Sequence, residues 1–214
     1  LDPELSGLSL SVTPPVRPAY RRDEPLPDDV ENRTLRRAAE WYFKSRLLIH
    51  ADRESDIHRM LLDKKEDAPI PGPDSPIGDG SHGILEGFAS AIQYDGHQRA
   101  RLPLRSDCHA ESAMCLALDW MVNSDPRSRD TAGNLLDYVF FTSEFCSGVR
   151  GDPHHPAFGL VAWGAIAPAW SVANYGDDDA RVIQAAILAS AALQTDRWNK
   201  SITRALLANL RTTG

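Results

Sequence analysis

At 214 residues the chain is long enough to bury a sizeable core, as one domain or two small ones. Hydrophobic residues at 42% and charged residues at 25% exclude wholesale disorder. With 30 acidic against 23 basic side chains, a net charge of −7, no phosphate-neutralising stripe is on offer to a nucleic acid.

Cys108, Cys115 and Cys146 make no disulfide framework and read as small buried hydrophobes. No apolar run reaches the roughly 18 residues of a membrane span. The chain opens without Met or signal peptide and stops at Arg211-Thr-Thr-Gly214, so it reads as a piece of a larger protein. A signal peptide in that parent would make it periplasmic or secreted.

Residues 1–31 carry Pro14, Pro15, Pro18, Pro25 and Pro27, which impose extended backbone. They read as a lead-in or linker in which residues 8–12 suit a strand. From Asp28 the apolar positions Leu35, Ala38, Ala39, Tyr42 and Phe43 keep helical spacing and predict a helix. Residues 52–67 are charged and suggest one short turn of helix. Pro69, Pro71, Gly72, Pro73, Pro76, Gly78 and Gly80 then make a loop. Asp95-Gly96 predicts a type I′ hairpin between strands 84–94 and 98–104. Ser106 and Asp107 are suited to cap a helix with an apolar stripe through Ala110, Ala113, Met114, Ala117 and Met121, broken at Asp125-Pro126. A further helix is expected over about 130–146, a loop over 148–156 and a helix over 157–171 interrupted near Pro168. Residues 180–194 are apolar almost all round, which predicts a helix enclosed on every side. Residues 197–210 complete the set as an amphipathic helix. Trp41, Trp120 and Trp198 sit in helical stripes and read as core. Helices in consecutive pairs, one buried and one half wet, fit concentric layers, although a plain bundle or solenoid gives a similar pattern.

Three polar clusters stand at helix starts or beside one. Asp107 and Glu111 are four apart and stack on one helix face, with His109 pointing elsewhere. Crowded carboxylates suit acid/base work on a glycosidic oxygen, because crowding raises one pKa while the other group stays ionised. The competing reading makes Asp107 a plain cap and Glu111 a solvated first-turn residue. Asp177, Asp178 and Asp179 cannot all cap one helix, so at least one is expected to overlook a cleft; capping, or an Asp178–Arg181 ion pair, is the alternative. Glu86, Tyr94, His97 and Arg105 come from the hairpin region, where Glu86 reads equally as a surface residue. Trp163, Trp170 and Tyr175 flank the second cluster and can stack on a sugar face. His154-His155 lacks the spacing of a metal site, and no P-loop, dinucleotide or Gly-x-Ser-x-Gly motif occurs. No metal and no cofactor are expected.

Gly78-Asp-Gly-Ser81, Leu85-Glu-Gly-Phe88, Tyr94-Asp-Gly96, Arg105-Ser-Asp-Cys-His-Ala-Glu-Ser-Ala113, Tyr175-Gly-Asp-Asp-Asp-Ala-Arg-Val182 and Leu206-Leu-Ala-Asn-Leu-Arg-Thr-Thr-Gly214, in that order, resemble bacterial proteins of the six-hairpin glycosidase-like superfamily. The resemblance covers about residues 30–214 and implies an all-α class. Layered helical hairpins would form a partial α/α-toroid over 32–214, with a β-hairpin inserted at about 84–104. It further implies that Asp107, Glu111 and Asp177 to Asp179 share one cleft. The expected activity is of glycoside hydrolase type, with Asp178 and Glu111 as the carboxylate pair and Asp107 orienting. Arg105, Trp163, Tyr175, Asp177, Asp179, Glu86, Tyr94 and His109 would bind substrate. The expected partners are a carbohydrate and the remainder of the parent chain, with no nucleic acid and no membrane. The rival is a non-catalytic helical module that positions a catalytic domain.

Overall fold

A computed structural model describes residues 18–213, and the chain divides into two units, residues 1–30 and 31–214. In the first, residues 18–29 form bends and turns, and Val30 begins the first helix. Arg21 N donates to Glu24 Oε2 at 2.9 Å and Glu24 N donates back to Arg21 O at 3.2 Å. The strand expected at 8–12 lies outside the described residues.

The second unit is mostly helical, with a small antiparallel sheet. Its helices are α1 (Val30–Lys44), α2 (Ala51–Leu62), α3 (Ser106–Asn123), α4 (Pro126–Asp137), α5 (Pro168–Val172), α6 (Gly176–Ala192) and α7 (Asn199–Thr213). The sheet holds β1 (Asp67–Pro69), β2 (Gly87–Phe88) and β3 (Arg99–Arg101) in the order β1-β3-β2. Partners are Asp67↔Arg101 on one edge of β3 and Gly87↔Arg101 on the other.

Several expectations are corrected. Residues 52–62 form a full helix rather than a single turn, started by His50 Nδ1 accepting from Asp52 N at 3.4 Å. Its buried stripe is only Ile57 and Leu61, too narrow to read from spacing. The hairpin is real but its strands are short, and β1 comes from residues read as loop. Its turn is not type I′: only Gly96 has positive φ, with Gly96 N→Gln93 O and Gln93 N→His97 O both at 2.9 Å. That pair of bonds is a type I turn closed by a left-handed glycine bulge. Asp125-Pro126 starts α4 rather than merely ending α3, since Asp125 Oδ1 accepts from Arg127 N at 2.9 Å and Pro sits in the first turn.

Residues 157–167 are not helical, because their N–H groups are taken from outside. Val161 N bonds Asp179, Ala162 N bonds Phe145 O and Trp163 N bonds Ala173 O. Only the short α5 follows. Nor is α6 enclosed all round. Val182, Ala185, Ala186 and Ala189 are buried, but Ala180, Arg181, Gln184, Ile187, Leu188 and Ala191 form a wet stripe, with Ile187 49% exposed. Trp198 is core, whereas Trp41 is 46% exposed and stands edge-on to Tyr42 and Phe88.

The site depends on how four helices pack. α3 lies between α4 and α6, and α6 also packs on α7. A left-handed Ser124 ends α3 and lets α4 fold back, with Ser128 Oγ donating to the buried Asp119 at 2.7 Å. The start of α7 is anchored to the end of α4, where Asp137 accepts from Arg197 and from the indole N–H of Trp198. α3 and α6 run in the same direction. Their first turns meet at Arg105, and one turn further Glu111 faces Arg181.

Candidate active site

The residues entering α3 are fixed by backbone pairing before any side chain acts. Ala165 N donates to Leu104 O at 3.0 Å and Ser106 N to Trp163 O at 3.1 Å, placing Arg105 opposite Gly164. Arg105 is the N-cap residue of α3 and makes no cap with its side chain. Its guanidinium turns to acids instead. Nη2 donates to Asp107 Oδ2 and to Asp178 Oδ1, each at 2.8 Å, while Nη1 reaches Glu86 Oε1 at 3.4 Å. The Trp163 ring centroid lies 5.2 Å from the guanidinium carbon.

One guanidinium nitrogen thus holds two acids from different helices. Asp107 and Asp178, with side chains 4% and 8% exposed, come within hydrogen-bonding reach. Burial, and then the Asp107 carboxyl beside it, raise the Asp178 carboxyl above its ordinary value, while Arg105 pulls the other way. Against the cost of its own burial, the Asp178 and Asp107 carboxylates raise the Arg105 guanidinium, so it stays charged. Burial, reinforced by Asp107, pushes the Cys108 thiol up to about 12 and leaves it unreactive. Glu86 also accepts from Arg101 at 3.1 Å, and Arg101 reaches Glu66 at 3.5 Å. Beside Glu86 the surface opens into a hollow of about 490 Å³ lined by Asp67, Glu86, Phe88 and Arg101, among others.

The remaining residues divide clearly. Glu111 lies on the same helix face as Asp107, 43% exposed, with Oε1 3.8 Å from Arg181 Nη1. Asp177 is exposed. Tyr175 is 54% exposed and packs edge-on to Trp163 at 6.1 Å between centroids. Asp179 points away from Asp178 into the interior, where Oδ1 accepts from Val161 N at 2.9 Å. Burial pushes its carboxyl up to about 6, with the Val161 N–H, Arg150 and the amides of Asn209 and Asn174 opposing.

Two expected binding residues sit apart. His109 is fully buried: Nδ1–H donates to Arg105 O at 2.6 Å and Nε2 accepts from Ile84 N at 3.0 Å. Burial pushes the imidazole down to about 4, and it stacks on Tyr138 at 4.9 Å. It is a neutral latch between α3 and the loop before β2, with no surface to offer a sugar. Tyr94 is fully exposed in the hairpin turn and is not drawn into the Arg105 cluster.

Arg101 and Arg150 are participants the residue patterns gave no reason to select. Arg101 is reached by cross-strand pairing with Gly87, next to Glu86; Arg150 ends a single 3-10 turn, Gly148–Arg150, too short for a periodic signal. Among the described residues no three His, Cys, Asp or Glu side chains are grouped to hold a metal ion, and no helix is long and apolar enough to cross a membrane. No protein-family model, curated protein or solved structure matches this chain.

Proposed function

We propose that this chain is a carbohydrate-active protein of glycoside hydrolase type, built as part of an α/α-toroid. The observation that carries the reading is the sharing of one Arg105 nitrogen by Asp107 and Asp178, which come from two helix N-termini far apart in the sequence. The parallel course of α3 and α6, each with a helix folded back on it, is the packing that concentric helical rings require. Asp178 is the acid that protonates the leaving oxygen, since burial and the Asp107 carboxyl raise it above an ordinary aspartate against the pull of Arg105.

Asp107 is not the second catalytic carboxylate. Carboxyl groups that flank a glycosidic bond need room for the sugar between them, about 5–9.5 Å, whereas Asp107 and Asp178 are both tied to the same Arg105 nitrogen. Asp107 orients Asp178 through Arg105. Glu111, less firmly held than Glu86 and open to solvent, is assigned as the base or nucleophile. Trp163 and Tyr175 offer ring faces and edges to the sugar beside Arg105.

The reading is tested by measuring hydrolysis of an oligosaccharide panel by the wild type, Asp178→Asn and Glu111→Gln. Loss of turnover in both variants, with folding retained, is expected; unchanged rates in both remove the assignment. The low exposure of Asp107 and Asp178 favours one alternative, a non-catalytic module in which Arg105 is a structural clasp. Saturable sugar binding by the wild type with no turnover of any panel member would select it.

A further inference from the structure

The aromatic side of the site sits on a loop that has little structure of its own. Residues 163–175 carry Trp163, Trp170 and Tyr175, with Trp163 edge-on to Trp170 at 5.4 Å and to Tyr175 at 6.1 Å. The only regular element among them is α5, five residues that include Trp170 and end at the exposed Val172. At Ile166 the backbone is strained: φ is +70° and Ala167 N donates to Ala165 O at 2.9 Å. That combination is a positive-φ γ-turn, which a β-branched residue adopts only when its surroundings force it.

Two charged side chains from a different stretch, 144–150, supply the force. Glu144 Oε2 accepts the Ile166 N–H at 3.0 Å, at the strained turn itself. At the other end Arg150, 4% exposed, donates from Nη2 to the carbonyls of Ser171 (3.2 Å), Val172 (3.1 Å) and Ala173 (2.9 Å), with Nη1 reaching Asn174 Oδ1 at 3.5 Å. A planar fork is suited to gathering several carbonyls at a helix C-terminus, where the dipole also favours a cation. The same guanidinium interacts with Asp179 in the first turn of α6, next to Asp178.

We infer that Arg150 and Glu144 are positioning residues that pin the 163–175 loop at both ends and hold the Trp163–Trp170–Tyr175 cluster against Arg105. They touch neither Arg105 nor the carboxylate pair in any bond described above, so they act on a bound sugar only through the aromatic rings. The consequence for binding rests on the proposed carbohydrate function; the pinning of the rings does not.

The experiment uses Arg150→Met, Arg150→Lys and Glu144→Gln in the full chain, with Trp163→Phe to identify the Trp163–Trp170 contribution to the circular dichroism spectrum. The pinning predicts that Arg150→Met loses that contribution while the helical spectrum stays, and that Arg150→Lys restores it only in part because one ammonium cannot gather three carbonyls. Glu144→Gln, which keeps an acceptor oxygen, is expected to retain most of it. On any oligosaccharide the wild type turns over, Arg150→Met is expected to raise KM about tenfold with kcat little changed, the signature of a displaced binding surface. A folded Arg150→Met with the wild-type indole contribution overturns the inference. A lost contribution with KM unchanged overturns its binding consequence. If the wild type neither binds nor cleaves any sugar, the proposed function falls and the spectroscopic comparison still decides the pinning.

Discussion

Replacing Asp179 by Asn should stabilise the fold at neutral pH. Asp179 is 1% exposed; one oxygen accepts from Val161 N and the other, Oδ2, has no hydrogen-bond partner of good geometry. Its carboxyl is raised from the ordinary 3.8 to about 6. Between those two values the folded chain holds a proton that the unfolded chain has released, so stability falls as pH rises through the window. Above about 6 the full cost is present. A shift of that size corresponds to about 3 kcal/mol at 1.36 kcal/mol per unit. Asn keeps the oxygen that Val161 uses but adds an N–H₂ needing acceptors, which takes back about 1 kcal/mol. The expected net gain at pH 7.5 is therefore about 1–2 kcal/mol, a rise of roughly 2–8 °C in melting temperature for a chain of this size. At pH 4 the advantage should vanish. Urea unfolding of both proteins between pH 4 and 8 measures this, and Asp178, present in both, cancels in the difference. A variant less stable than wild type at pH 7.5, or a difference that does not change between pH 4 and 7, refutes the account of Asp179 as a buried, under-satisfied carboxylate.

Four further outcomes follow from the geometry. Arg105→Met leaves Asp107 and Asp178 facing each other without their shared donor and should cost about 2–4 kcal/mol at pH 7.5; because Asp178 can then take a proton, the loss should shrink at pH 4.5, as urea titrations at the two pH values will report. A Cβ on Gly83, where φ is +83°, would stand 2.5 Å from His109 Nε2 and 3.0 Å from Tyr138 Cε1, so Gly83→Ala should lose about 2 kcal/mol or more. Gly133→Ala in α4, which meets nothing within 4 Å, should instead gain about 0.5–1 kcal/mol in the same melting assay. Ile187, Leu188, Leu206 and Leu210 leave an apolar stripe open along α6 and α7, so Ile187→Glu with Leu206→Glu should reduce self-association in sedimentation while moving stability by no more than about 0.5 kcal/mol.

Helices whose apolar residues recur along their whole length were legible from spacing: α3 and α7 do so through Ala113 and Ala205, and α1 through Leu35, Ala38, Ala39, Tyr42 and Phe43, although only Ala39 and Phe43 of it are buried. α2 was not, because its apolar residues, Ile57, Met60, Leu61 and Leu62, crowd the end of a segment that starts charged and give no period. The helix expected over 157–171 failed for a different reason. Its composition is apolar and helix-compatible, but Phe145, Asp179 and Ala173, all distant in sequence, take its N–H groups. Long-range hydrogen bonds leave no local trace. The enclosure expected of α6 failed because alanine counts as apolar wherever it lies, and Ala180 and Ala191 are as tolerable in water as in a core. Of the site, helix-end chemistry said only that each acidic helix start is polar; that the two share a cleft was an expectation from the resemblance to six-hairpin proteins, and the structure brings Asp107 and Asp178 to one Arg105 nitrogen while Asp179 turns inward. Nothing in the sequence pointed to Arg150 and Arg101. The importance of an arginine in a loop or short strand is set by which carbonyls or carboxylates the fold brings to it.

The two aspartates of the pair differ in their neighbours. Asp107 accepts from Cys108 N at 2.8 Å as well as from Arg105, so its oxygens have donors on two sides. Asp178 has Arg105 on one side and the Asp107 carboxylate on the other. Both stand in the first turn of a helix, where free N–H groups favour negative charge. The helix ends therefore do not choose between them; the Cys108 N–H does. Burial and the Asp107 carboxyl raise Asp178 while Arg105, bonded to both acids, pulls the other way. Under the proposed function, a raised acid beside a fixed cation and an aromatic cluster is the member of the pair suited to deliver a proton to a departing oxygen.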